Sequence, residues 1–144
     1  MRTLLVALLT VVLSSCNKPG AATKEPLTPV AGPASTTSKH PWAKFLELGG
    51  FRLSEAGPGK LRVKFIAVNH SEADFGEIIL KVRLVTSVSK PTDPALAEFE
   101  TKLSALAPFE IKDVTVVVEH KLRAYEFPDW QFLRAEFDIT SPQP

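Results

Sequence analysis

Strict alternation of apolar and polar residues constrains the fold of this chain more than any other feature of its sequence. Every second residue is apolar in two stretches, 61–68 and 133–139: Leu61, Val63, Phe65 and Ala67 in the first, and Leu133, Ala135, Phe137 and Ile139 in the second. Successive side chains of a β-strand point to opposite faces of a sheet, so a period of two predicts strands with one buried face.

Similar runs, separated by turn-forming residues, follow one another from residue 42 to the end of the chain. Further strands are predicted within 77–87, 96–106 and 114–119, and at 45–55 with a bulge at Gly49 and Gly50. The stretch 55–60 is typical of a turn, and Asn69 is placed to close an Asx-turn after its strand. About six or seven short strands spaced in this way predict an all-β fold, an Ig-like antiparallel β-sandwich.

A helix is the alternative for residues 94–107. Four apolar residues in this stretch fall near helical spacing: Leu96, Phe99, Leu103 and Leu106. The same stretch alternates between charged residues and apolar or small ones from 98 to 103, which favours a strand.

The charge and cysteine content exclude two kinds of protein. A single cysteine can form no internal disulfide, so the domain needs a core that is stable without one. From residue 41 onward, 13 basic residues face 15 acidic ones. This balance lacks the basic footprint of a nucleic-acid binder, and no nucleic-acid partner is expected.

Residues 1–15 have the pattern of a secretory signal peptide. Arg2 is followed by a run, 4–13, that is apolar except for Thr10. A membrane-spanning helix needs roughly 20 apolar residues, so this run is too short to span a bilayer. A basic start, a short apolar run and small residues after it are typical of a cleaved signal.

The signal-like run ends in Leu13, Ser14, Ser15 and Cys16, which resemble the lipobox of bacterial lipoproteins. The resemblance implies that Cys16 receives a diacylglyceryl thioether, becomes the new N-terminus and is then N-acylated. Cys16 is therefore the predicted lipid attachment site. Because two or more acyl chains anchor a protein stably, the membrane is the predicted partner. Asn17 follows, in place of the Asp that tends to retain proteobacterial lipoproteins at the inner membrane. The predicted location is the cell envelope, facing the periplasm or the exterior, with the outer membrane favoured if the cell is Gram-negative.

The predicted organisation has three parts. Residues 1–15 are the signal peptide, residues 16–40 the lipidated cysteine and a disordered linker, and residues 41–144 the Ig-like β-sandwich domain. The linker prediction rests on four prolines among small and polar residues, with almost no large apolar side chain to bury.

The stretches 63–84, VKFIAVNHSEADFGEIILKVRL, and 103–119, LSALAPFEIKDVTVVVE, resemble small Ig-like modules of bacterial envelope proteins, the FxLyD and CARDB-type domains. Shared features are a strand that ends in asparagine, a short polar loop, a long strand, and a proline-containing corner before a valine-rich strand. The corner has Phe109 where a glycine is common. The resemblance implies an adhesion or spacer role and carries over no active site.

Few residues suggest chemistry. His70, Glu72 and Asp74 lie close together in sequence and are the candidate group for a cation, although they lack the glycine-spaced acidic repeat of a calcium loop. No G-x-S-x-G, P-loop or G-x-G-x-x-G motif occurs. No catalytic residue, cofactor or metal is therefore predicted, and the chain is not expected to be an enzyme.

The stretch 121–137 is rich in Trp, Tyr, Phe and Arg, the residue types that dominate binding hot spots. By alternation, Trp130 and Phe132 point away from the core face of the last strand. With Arg134 they form the candidate protein-contact surface.

A structural role is the alternative for the same residues. Trp130 would then plug the open end of the sandwich or cover the first strand near Trp42. Arg134 would pair with Glu136 or Asp138.

The predicted function is that of a membrane-anchored envelope lipoprotein whose β-sandwich mediates a protein interaction without catalysis. A periplasmic lipoprotein that binds a small ligand or metal near His70 and Asp74 is the alternative, and an envelope hydrolase is a third class. An exposed aromatic patch around Trp130 favours the first function, and a cavity lined by convergent polar groups favours the second.

Overall fold

Eight strands and two single-turn 3-10 helices make up most of residues 27–142, the part of the chain described by a computed structural model. The strands are β1 (Thr28–Pro29), β2 (Ser35–Thr36), β3 (Leu46–Gly57), β4 (Lys60–Asn69), β5 (Ile78–Thr86), β6 (Ala97–Leu103), β7 (Ile111–Glu119) and β8 (Leu133–Ser141). The 3-10 helices, Ala124–Glu126 and Trp130–Phe132, lie between β7 and β8. The predicted all-β fold is confirmed.

The strands form two four-stranded sheets. The order is β1-β3-β4-β7 in the first and β2-β8-β5-β6 in the second. Neighbouring strands are antiparallel, except that β2 runs parallel to β8. The chain crosses to the second sheet after β4 and forms β5 and β6 there. It then returns to the first sheet, where β7 pairs with β4.

One hydrophobic core takes side chains from both sheets. The alternation in β4 and β8 is confirmed, because the predicted core residues of both strands are buried: Leu61, Val63, Phe65, Ala67, Leu133, Ala135, Phe137 and Ile139. Burial of a large apolar side chain is worth about 1.5–3 kcal/mol. A slip of one residue would expose the whole set, so this pattern determines the register of both strands.

Residues 97–103 form β6, so the strand prediction is confirmed over the helical alternative. They pair with β5 in unbroken register. Glu98 of β6 binds Lys81 and Arg83 of β5, at 2.8 and 3.5 Å. Cross-strand hydrogen bonds and charge pairs thus outweigh a nearly helical spacing of apolar residues.

The predicted bulge in β3 is also present. The register with β4 shifts between Gly49 and Arg52, and Gly50 has a φ of 63°. A Cβ on Gly50 would lie 3.6 Å from the Ile66 side chain, an ordinary contact. The left-handed backbone, rather than lack of space, therefore favours glycine at this bulge.

The described part of the predicted linker, residues 27–40, is ordered against both sheets rather than disordered. Within it, β1 pairs with β3 and β2 pairs with β8. Val30, between them, is buried in the core, and His40 is buried as well. Few large apolar side chains are needed here, because a short edge strand is held mainly by backbone hydrogen bonds.

Asn69 joins the two loops at one end of the molecule, and the predicted Asx-turn is confirmed. Its Oδ1 accepts hydrogen bonds from the Ser71 amide at 2.9 Å and the Ser71 hydroxyl at 2.7 Å. Its Nδ2 donates to the carbonyls of Ala73 and Ala107, at 2.8 and 3.0 Å. The side chain is fully buried and satisfied. We call this end, with loops 70–77 and 104–110, the Asn69 end.

Candidate functional site

The opposite end of the molecule has a cluster of exposed large hydrophobic side chains. It is built from the β3–β4 turn, the loop 87–96 and the loop 120–132 that contains both 3-10 helices. Five large apolar residues there are at least half exposed: Leu27, Val88, Tyr125, Trp130 and Phe132. We call this end of the molecule, with these five residues, the aromatic end.

Trp130 and Phe132 lie in the second 3-10 helix, just before β8. They are 54% and 50% exposed. The alternative in which Trp130 plugs the core is therefore wrong, because Phe127 occupies that place, buried with its ring 5.5 Å from that of His120. Trp42 is not covered by Trp130 either, since it stacks on Phe75 at the Asn69 end.

Arg134 positions the second 3-10 helix. Its Nη1 donates to the carbonyls of Gln131 and Leu133, both at 2.8 Å. The expected pairing with Glu136 is not formed, because Glu136 binds Arg83 on the neighbouring strand at 2.9 Å. Of the three predicted contact residues, Arg134 thus supports the backbone that presents Trp130 and Phe132.

A carboxylate holds the first 3-10 helix, and with it Tyr125, against β3. Glu55 Oε1 accepts a hydrogen bond from the Ala124 amide at 2.7 Å and lies 3.2 Å from Arg123 Nε. The amide lowers the pKa of Glu55 below its ordinary value of 4.5; partial desolvation opposes this, and Arg123 adds to it. The Glu126 carboxylate closes the turn by accepting the Arg123 amide at 2.6 Å.

His120 ties this loop to the second sheet. Its Nε2 lies 2.7 Å from the Leu96 carbonyl, which places the end of β7 beside the start of β6. The Leu122 amide donates to Nδ1 at 3.1 Å. These bonds fix the backbone beneath the aromatic end.

The predicted cation group at the Asn69 end is not assembled. His70 Nε2 lies 2.7 Å from Glu47 Oε2, while Glu72 and Asp74 are exposed in the loop. Among residues 27–142, no three His, Cys, Asp or Glu side chains are grouped closely enough to hold a metal ion. A shallow hollow of about 540 Å³ lies beside this loop, with Trp42, Phe45 and Phe75 in its wall.

Phe109 occupies a strained position in the corner before β7. The Glu110 amide donates to the Ala107 carbonyl at 3.1 Å, and Phe109 has a φ of 57°, which together define a type II turn with Pro108 at its second position. Type II turns favour glycine at the third position. Phe109 is nevertheless 63% exposed, so burial of its ring offsets little of the strain.

The corner is held by a second carboxylate. Glu110 Oε2 accepts the Ala107 amide at 2.7 Å. This bond lowers the pKa of Glu110; partial desolvation opposes the shift, and Lys112 adds to it.

The strand that follows, β7, has an open edge. It is the last strand of its sheet, and no described strand pairs with its far side. Ile111 and Val117 are exposed on its outer face, and three valines of its inner face are only partly buried: Val114, Val116 and Val118. Lys112, at the start of the strand, is held over the corner by bonds to Ser104, Ala105 and Glu110.

Phe109, Ile111 and Val117 are candidate functional residues that the sequence patterns did not single out as a contact surface. The signal for Phe109 was present, as a bulky residue where this kind of corner favours glycine. Nothing local marks β7 as an edge strand, because strand order is a property of the whole sheet.

Cys16 and the predicted signal peptide lie outside the described residues. Over residues 27–142, no helix has both the length and the apolar character that crossing a membrane would require.

No protein-family profile matches this chain, and no curated protein or solved structure matches it significantly.

Proposed function

We propose that this chain is a lipoprotein anchored to a membrane of the bacterial cell envelope through Cys16, and that its β-domain binds a protein partner without catalysis. The domain is an Ig-like β-sandwich of the kind found in FxLyD and CARDB-type envelope modules. In a Gram-negative cell, Asn17 favours the outer membrane. The three-part organisation carries over, with residues 27–40 added to the folded unit.

The strand connections support the Ig-like assignment. Two four-stranded sheets contribute to one core, as the two inner faces of a sandwich do. The chain leaves the first sheet after β4 and returns as β7 beside it, a Greek-key type of connection shared by Ig-like domains.

The open edge of β7 is the observation that carries the protein-binding role. Along this nine-residue strand, alternate residues direct backbone N–H and C=O groups to a side with no described partner, and such an edge accepts an added strand from another protein. We assign to it an extended segment of a partner protein. Exposed Ile111 and Val117 favour apolar residues at alternate positions of that segment.

Phe109 extends the same surface at the start of β7. A large apolar residue in a left-handed turn, exposed rather than buried, lowers stability without filling the core. In the proposed complex the Phe109 side chain contacts the partner's added strand, whereas in the isolated domain it is mostly exposed.

The test is site-specific crosslinking in native membranes. A photoreactive residue at position 111 is expected to capture one protein, whereas the same residue at Val88, which is 86% exposed at the other end, captures none of it. The complex is then rebuilt from purified components. Amide exchange in β7 is expected to slow on binding, because the edge amides become hydrogen-bonded.

Introduction of a charge at the apolar contacts supplies the matched comparison. Ile111→Lys and Val117→Lys are expected to weaken the rebuilt complex by about tenfold or more, and Val88→Lys to leave it unchanged. Equal capture from positions 111 and 88, or unchanged exchange in β7, would contradict the proposed binding surface.

The anchor is tested separately. The mass of the Cys16 peptide from native membranes is expected to include a diacylglyceryl group and an N-acyl chain. Cys16→Ser protein is expected in the aqueous fraction, because no acyl chain then holds it. An unmodified Cys16 peptide would refute the lipoprotein assignment and leave the β7 result unaffected.

The hollow beside His70 supports the second candidate, binding of a small ligand. Its aromatic wall and the adjacent His70–Glu47 pair combine an apolar surface with a polar edge. Chemical-shift changes confined to Trp42, His70 and Phe75 on addition of a ligand library would support this function; their absence would leave the β7 surface as the candidate site.

A further inference from the structure

The position at which the chain joins the domain bears on what the aromatic end contacts. β1 runs antiparallel to β3, with Thr28 opposite Leu53, so the chain before Thr28 approaches from the aromatic end. The Thr28 hydroxyl donates to the Ala124 carbonyl at 3.4 Å, beside Tyr125. Leu27, the first described residue, is itself one of the five exposed apolar residues there.

The ordering of residues 27–40 shortens the distance to the predicted anchor. Eleven residue steps separate Cys16 from Leu27 (27 minus 16), where the composition argument had allowed a linker extending to residue 40. At 3.3–3.6 Å per residue, they span at most about 36–40 Å. A chain fixed at Cys16 is therefore joined to its anchor at the aromatic end and within this distance of it.

From these observations we propose that the aromatic end is a membrane-contact surface that lies in the lipid headgroup region, with the domain standing on it. The inference rests on the proposed lipid anchor and adds a second, non-covalent contact. It assigns the bilayer, rather than a protein, to Trp130 and Phe132. A protein occupant is the competing outcome of the test.

The side-chain chemistry suits an interface. Trp and Tyr concentrate at membrane–water interfaces, where an apolar ring and a polar group each meet a matching environment. Tyr125 and Trp130 are the exposed Tyr and Trp of the described chain, and both lie at this end with Phe132. Lys121 of the same loop is exposed and available to anionic headgroups, whereas Arg123 is paired with Glu55.

The backbone of the loop 120–132 is held in place by surrounding side chains. Arg134, Glu55 and His120 fix the backbone beneath the aromatic end through the bonds described above. The exposed rings are therefore held outward by a fixed backbone, so little ordering cost remains when they enter the headgroup region. In this orientation the strands lead away from the membrane, and the Asn69 end with Phe109 faces outward toward partners.

Tryptophan fluorescence gives a direct test, because the chain has two tryptophans, Trp42 and Trp130, near opposite ends. The chain from Cys16 onward is coupled through its only thiol to a maleimide lipid in vesicles of phosphatidylethanolamine and phosphatidylglycerol. Brominated acyl chains quench tryptophans that reach the bilayer. Trp130, observed in Trp42→Phe, is expected to lose about half its emission or more, and Trp42, observed in Trp130→Phe, to lose little.

A second readout does not require replacing Trp42, whose stacking on Phe75 contributes to the core. Uncoupled Cys16→Ser chain is sedimented with the same vesicles. The bound fraction gives the partition constant of the protein between water and vesicles. In Trp130→Ser with Phe132→Ser this constant is expected to fall by about tenfold, because two large apolar side chains no longer enter the interface. Phe109→Ser with Ile111→Ser, a matched apolar loss at the other end, is expected to leave it unchanged.

The outcomes separate the two proposals. Equal quenching of both tryptophans, or an equal loss of partition in both double variants, overturns membrane contact by the aromatic end. Capture of a protein by a photoreactive residue at position 130, without quenching of Trp130, also overturns it in favour of a protein partner. The mass of the native Cys16 peptide decides the lipid anchor independently of these results.

Discussion

At the scale of single residues, Asn69 and Phe109 form a contrast at one end of the molecule: a polar side chain that is buried and an apolar side chain that is exposed. Asn69 is a polar side chain in the core, and its four hydrogen bonds remove the cost of burying it. Phe109 is a large apolar side chain on the surface, in a turn whose backbone favours glycine. The first residue contributes to stability and the second reduces it, which is why Phe109 is the stronger indicator of function.

The Phe109→Gly variant is expected to be more stable than the wild type. Relief of the left-handed strain, about 1–2 kcal/mol, exceeds the backbone entropy that glycine loses on folding, about 0.5–1 kcal/mol. A rise of roughly 0.5–1 kcal/mol in the free energy of unfolding follows and is measured by urea denaturation. Val88→Gly, at an exposed site without a positive φ, is expected to lower stability slightly. Equal effects of the two variants would refute the strain argument.

At the scale of elements, two carboxylates fasten loops to strands in the same way. Glu55 of β3 accepts the Ala124 amide of the first 3-10 helix, and Glu110 accepts the Ala107 amide of the corner before β7. In each case the backbone amide is the main cause of the lowered pKa. Both carboxylates are about one-third exposed, and their hydrogen bonds to the amides contribute to stability in a pH-dependent way.

Stability is therefore expected to fall in acid. A carboxyl with a lowered pKa in the folded state contributes stability above its unfolded pKa and loses that contribution as the pH falls through the folded value. The free energy of unfolding is expected to decline between about pH 5 and pH 3. In Glu55→Gln with Glu110→Gln this decline becomes shallower, and stability at neutral pH is lower than in the wild type.

Urea midpoints measured across this pH range provide the check. Glu72→Gln, at an exposed loop position, is the matched control and is expected to keep the wild-type slope. An unchanged slope in the double variant would show that these two carboxylates do not cause the acid sensitivity.

At the scale of the whole molecule, the segment before β3 runs across both sheets and contributes to the common core. β1 lies on one sheet and β2 on the other, with Val30 buried between them. This segment therefore links the two sheets along the side opposite β6 and β7. Its course also determines at which end of the domain the chain from the predicted anchor enters.

Val30→Ala is expected to lower the free energy of unfolding by about 1.5–3 kcal/mol, through lost burial and an incompletely filled cavity. Val88→Ala, at an 86% exposed site, is expected to change stability little. The comparison uses urea denaturation of full chains that carry Cys16→Ser. Similar stabilities for the two variants would mean that residues 27–40 behave as a linker in solution.

The sequence by itself determined the strands and which of their faces are buried. Period-two alternation located the core residues of β4 and β8, and glycines located the bulge and the turn, because these are local properties of a pleated chain. It also determined the Asx-turn at Asn69, since that hydrogen bond closes over two residues. The lipobox of Cys16 is likewise a local motif and remains a prediction.

Only the tertiary structure decided the rest, because the remaining features depend on contacts between distant segments. Residues 28–36 are ordered by hydrogen bonds to strands that lie far along the chain, which composition does not register. β7 is an edge, and Phe127 rather than Trp130 closes the core, because of how the two sheets and the loop 120–132 meet. The same long-range packing brings Leu27 to the end that holds Tyr125 and Trp130, a juxtaposition that local patterns do not predict.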